Sequence, residues 1–125
     1  MDDNELREMD VKVHRALYPG HVVMLCPEID NHGESAWLWW ENGKGGWDVP
    51  NYSTDITAWE PVYALKPEWR WFQQEEPDAT RVVVHTCGEW EFFDVWVEPF
   101  EATGLAAYAL GRARCVIAWA GRGEG

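Results

Sequence analysis

The sequence predicts an α+β fold: a single domain of mainly antiparallel β-sheet sandwiched between helices in α/β/α layers, with an extra β-hairpin near the N-terminus. Three observations predict it. Apolar residues recur at helical spacing near both ends of the chain. Between them lie short β-branched and aromatic runs bounded by Gly, Pro and Asn. The chain has 125 residues, 46% of them hydrophobic and ten of them Trp, enough for one core without disulfide staples. No internal repeat or long linker divides residues 1–125.

Taken in order, residues 3–17 form the first helix, with Leu6, Met9, Val13 and Leu17 on one stripe and Asp3 or Asn4 as its cap. Tyr18-Pro19-Gly20 ends it. Strands follow at 21–26 and 35–41, then a flexible turn at 42–46, Asn-Gly-Lys-Gly-Gly. Together 21–47 read as an inserted, Trp-rich hairpin. A second helix is expected from Thr54 to Leu65, capped by Ser53, with Asp55 set against the positive end of its dipole. Pro61 should kink or end it near Glu60. Strands are expected at 69–74, 80–87 and 90–98, the last two joined by a tight Gly88-Glu89 connection. A final Ala-rich helix runs from Phe100 to about Ala120 with Thr103 as a cap, weakened by Gly104 and Gly111, and residues 121–125 form a flexible tail.

The last strand decides how the layers stack. Trp90, Phe92, Asp94 and Trp96 share one face, and Glu91, Phe93, Val95 and Val97 the other. Strand 80–87 repeats this two-sided apolarity with Val82 and Val84 against Val83. A half-solvated sheet does not need two apolar faces. Helices on both sides explain the pattern; one helical layer plus an oligomer contact is the alternative.

The segment Pro50-Asn51-Tyr52-Ser53-Thr54-Asp55-Ile56, followed by Trp59, carries a family likeness. With the amphipathic opening helix and the closing EATGLAAYALGRARCVIA, the chain resembles the phage ABA-sandwich domain family, small proteins of phages and prophages. The resemblance implies an α/β/α layered fold and supplies no catalytic residues. Residues 21–47 depart from the family pattern as an extra hairpin, and Pro61 falls where the family keeps its helix unbroken.

Acidic residues outnumber basic ones 22 to 10, a formal charge of −12. Direct binding to a nucleic-acid backbone is therefore disfavoured. The acidity reads either as a solvated surface or as mimicry of nucleic-acid charge aimed at a basic groove. Cys26, Cys87 and Cys115 form no C-x-x-C pair, and free, mostly buried thiols in a host-cell cytoplasm are expected. No stretch reads as a signal peptide or a membrane span.

No catalytic residue, metal site or cofactor is assigned. His85 and Cys87 share a strand face, but Cys26 and His32 lack zinc-motif spacing, so a buried thiol and a satisfied histidine are the simpler reading. Gly43-x-Gly45-Gly46 reads as a hairpin turn rather than a phosphate loop. The binding candidates are Trp37, Trp39, Trp40 and Trp47 of the inserted hairpin, Tyr52 and Asp55 at the helix start, and Arg112 and Arg114 of the last helix. Alternation puts Trp37 and Trp39 on one face and Trp40 on the other, leaving one of them for contact with a partner. The expected function is a non-enzymatic accessory protein that binds and inhibits a host protein, a defence component or a nucleic-acid-binding protein. A homo-oligomeric sponge for a nucleotide immune signal is the alternative, with a small enzyme or a virion protein behind it.

Overall fold

α1 covers Asp3–Leu17 of a computed structural model that describes residues 2–26, 36–87 and 91–122. Its cap is Asp2, one residue earlier than the sequence suggested, whose carboxylate accepts the Glu5 N–H at 2.8 Å. The chain then forms β1 (Val22–Cys26), β2 (Ala36–Glu41) and β3 (Lys44–Asp48), an antiparallel sheet in that order. The expected flexible turn at 42–46 is instead a two-residue turn, Asn42-Gly43, with positive φ at both positions. That is the turn chemistry which matches the twist of a hairpin. The remaining residues pair as a third strand. Register slips between Trp39 and Trp40, and Gly45 sits at the slip with φ +149°. A Cβ there would stand 2.7 Å from the Trp40 Cα, so the bulge requires glycine.

A 3-10 turn, Ile56–Trp59, runs directly into α2, Glu60–Leu65. Pro61 does not end a helix near Glu60. It occupies the first turn of α2, where no intrahelical N–H is needed. Nor is Ser53 the cap. Asp55 accepts the Thr57 N–H at 3.0 Å, while Ser53 is buried against α1.

The second sheet is β4 (Trp69–Glu75), β5 (Thr80–Thr86) and β6 (Glu91–Val97), again antiparallel and in sequence order. The Gly88-Glu89 connection and most of the tail at 121–125 lie outside the described residues. α3 runs Gly104–Ala120; Phe100 precedes it in an exposed turn, and Thr103 stands at the cap position without a side-chain bond.

The expected α+β sandwich of helix and sheet is present, as one small domain. α3 packs on the inner face of β5 and β6, α1 packs on α3, and α1 in turn meets the first sheet. One core runs through these contacts, from Val23 through Val13, Leu17, Ala113 and Val116 to Val82 and Val84. Trp59, Trp69 and Trp119 fill it, with Trp59 fully buried and its indole N–H donating to the Tyr52 carbonyl at 2.8 Å. Burying one such ring contributes roughly 4–6 kcal/mol. Among the described residues the helices cover one face of β4–β6, and Phe72, Phe92 and Trp96 on the opposite face are exposed. Again among the described residues, no helix is long and apolar enough to cross a membrane.

Gly111 explains how closely α3 approaches. A Cβ at this position would lie 2.7 Å from the Val82 Cβ, so glycine sets the helix–sheet spacing rather than merely weakening the helix. Gly111→Ala gains ~1 kcal/mol of helix propensity and forces a misfit of about 1–3 kcal/mol. We expect a net loss in urea denaturation; unchanged or raised stability would refute the close contact.

Candidate functional site

Two polar residues of α1 organise the chain around the Tyr-Ser-Thr-Asp segment. Asp10 is 1% exposed, and its carboxylate accepts the Ser53 N–H at 2.7 Å and an Arg7 N–H at 2.8 Å. Arg7 also donates to the Val49 carbonyl at 3.0 Å and to the Asn51 side chain at 2.7 Å. The Ser53 hydroxyl donates to the Leu6 carbonyl. Burial pushes the Asp10 carboxyl up from its ordinary value, and these hydrogen bonds pull against that shift. The side chains expected to face a ligand thus secure the loop: Tyr52 is buried, and Asp55 caps the 3-10 turn.

Beside this clamp lies a stack of rings that pattern reading missed. His14, on the buried side of α1, lies 2.9 Å from the Tyr52 hydroxyl through Nδ1 and 2.9 Å from His21 Nδ1 through Nε2. His21 Nε2 reaches Glu41 at 3.4 Å. Tyr52, His14 and His21 thus form one hydrogen-bonded chain, with the Glu41 carboxylate beside its His21 end. Trp39 stacks on His21 at 4.2 Å with the rings nearly parallel, and Trp47 leans on Trp39 at 4.9 Å. Tyr18 stacks on both histidines. Two histidines seven apart, one on a helix and one at a strand start, carry no motif spacing; only the folded chain joins them.

The tryptophans of the first sheet separate accordingly. Trp37 and Trp39 pack against the core and Trp40 lies half-buried on the opposite face, opposite Val22. Trp47 is 52% exposed. Exposed Leu25 shares the Trp37, Trp39 and Trp47 face with Glu41, whereas exposed Val22 and Met24 lie on the Trp40 face with Asp48.

The arginines lie elsewhere. Arg112 is buried beneath Tyr63 and Trp71, donating to Gln73 at 3.0 Å and to the Tyr63 hydroxyl. Arg114 binds Glu101 and the Trp96 carbonyl, and its hydrogen bonds hold the Glu101 carboxyl below the usual range. The structure therefore brings Trp39, Trp47 and Tyr52 into one aromatic assembly through His14 and His21, with Trp37 packed on the core, Trp40 on the opposite face, and Asp55, Arg112 and Arg114 apart from it.

Of the thiols, only Cys115 is fully buried, and burial pushes it up to about 12; Cys26 and Cys87 are half-buried. Cys87 Sγ stands 3.5 Å from His85 Nδ1. Among the described residues no group of three or more His, Cys, Asp or Glu is placed to hold a metal ion. Comparison with protein-family models, with curated proteins and with solved structures finds no match to this chain.

Burial, and then the neighbouring His21, lowers the His14 imidazole from 6.5 to about 4. The unfolded chain therefore takes up the proton first as pH falls, and stability is lost between about pH 6.5 and 4. Between pH 7 and pH 5 the wild type should lose ~2 kcal/mol more than His14→Gln in urea denaturation. A proton NMR titration should place the His14 midpoint near 4. A midpoint at the ordinary histidine value would contradict the buried relay.

Proposed function

We propose that this chain is a non-enzymatic accessory protein of a phage or prophage, acting in the host-cell cytoplasm by binding and inhibiting a host protein. The observation that carries the reading is the surface of the first sheet. Trp47 stands half in solvent against Trp39, on the same face of the sheet as exposed Leu25 and Glu41. An apolar centre with a charged rim is the anatomy of a protein contact, and a desolvated Trp is a frequent hot spot. The net charge of −12 adds long-range attraction toward a basic groove and speeds encounter. A host defence component or nucleic-acid-binding protein suits that chemistry. The phage origin rests on the resemblance carried by residues 50–59.

The stack behind Trp47 supports the same use. An aromatic anchor held by Trp39, itself held by His21, loses little side-chain freedom on binding. Arg112 and Arg114, the cations a nucleotide sponge would need, are engaged by Tyr63, Gln73 and Glu101. This favours a protein partner over a nucleotide.

Native recovery of the chain from expressing host cells tests the proposal. We expect a stoichiometric host protein with the wild type and at least a tenfold loss with Trp47→Ala, the fold being retained. Trp39→Ala should instead destabilise the fold, by about 3–5 kcal/mol if its site collapses as little as a core position. Recovery of a nucleotide without a protein, or undiminished capture by folded Trp47→Ala, would overturn it.

A further inference from the structure

The face of β4–β6 turned away from α3 is a second surface, distinct from the one used above. Strand register arranges it in three cross-strand rows: Arg70–His85–Phe92, Phe72–Val83–Asp94 and Gln74–Arg81–Trp96. Phe72, Phe92 and Trp96 are 53%, 67% and 49% exposed. These three rings alone leave roughly 300 Å² in water, as large as the main apolar patch of an ordinary monomer. His85 lies flat on Phe92 at 4.0 Å, so the row is ordered rather than splayed.

Charge identifies the occupant. The chain as a whole carries −12, and Asp3, Glu5, Glu8, Glu60, Glu68 and Glu98 stand exposed on other elements. On this face the formal charges are Arg70, Arg81 and Asp94, one net positive. Glu76, just past β4, adds to the field at Arg81. Arg81 grips Asp94 with bonds of 3.0 and 2.5 Å, and that contact holds Asp94 below the usual carboxylate range. The acid on the face is thus already neutralised within one copy. Two copies of so acidic a chain repel one another through most orientations. Stacking this face on itself brings together apolar rows and the Arg81–Asp94 pair, leaves the Arg70 guanidinium bonded to its own Pro67 carbonyl, and keeps the acidic surfaces outward.

We propose that two copies of the chain pair through this face, sheet on sheet, as a two-fold symmetric dimer. Strands of this length and number give a footprint of roughly 300–400 Å² in plan. Two such faces total roughly 600–800 Å², below the standard specific interface, so the contact is weak, reversible and concentration-dependent.

Sedimentation of the full chain reads this directly. At about 100 μM the wild type should run at twice its 14.5 kDa mass and return toward monomer on dilution. Phe92→Glu and Val83→Glu each place like charges across the contact and should weaken association at least tenfold. Raising salt from low to high should tighten the dimer several-fold, because it screens the mutual repulsion of two acidic chains. A wild type that stays monomeric, a higher oligomer, a dimer loosened by salt, or dimers undiminished in both folded variants would overturn the proposal. Should either variant fail to fold, hydroxyl-radical footprinting of the wild type decides: Phe92 and Trp96 protected at high concentration supports the dimer, and unchanged reactivity sinks it.

Discussion

The buried carboxylate of Asp10 is the constraint on which the rest of the structure depends. It faces the Ser53 N–H and the Arg7 guanidinium, and Arg7 continues to the Val49 carbonyl and the Asn51 side chain. An isolated carboxylate would not remain charged at 1% exposure, so the surrounding donors make this position tenable. By pinning residues 49–53 to α1, the clamp sets Tyr52 beneath His14 and delivers the Trp59 ring to the core through its bond to the Tyr52 carbonyl. The first sheet, which ends where this loop begins, is docked by the same act.

From that anchor the molecule builds outward in two directions. Toward the first sheet, the Tyr52–His14–His21–Glu41 chain and the Trp39–Trp47 pair carry order to the surface. Toward the second, α3 closes on Val82 at Gly111, and the Trp rings seal the gap beside it. Each sheet leaves apolar residues exposed outside the core. Their charge settings differ: Glu41 shares the Trp47 face, whereas Asp94, on the Phe92 face, is paired with Arg81. That difference is why one surface suits a basic partner and the other a second copy.

Much of this plan was legible from local pattern. The stripe Leu6, Met9, Val13, Leu17 locates α1 to its observed bounds, and β-branched runs locate β1, β2 and β4–β6 to within a residue or two. Where pattern reading failed, a non-local partner was responsible. Lys44 to Trp47 reads as a turn because of its glycines, yet it pairs with β2 through a bulge that needs Gly45. Ser53 has the chemistry of a cap, but Asp10 claims its N–H and Asp55 caps instead. Alternation showed that β6 has two apolar faces and could not show which one α3 would cover. The histidine relay joins residues from α1, β2 and two loops, and no spacing within any one of them announces it.

Hydroxyl-radical footprinting of the protein in complex with the partner recovered from host cells tests the central claim most directly. Side-chain oxidation reads exposure ring by ring, and Trp47 is half exposed in the free chain. Trp47 should become protected by the partner. Trp47 oxidised in the complex as fast as in the free chain would contradict the proposed contact.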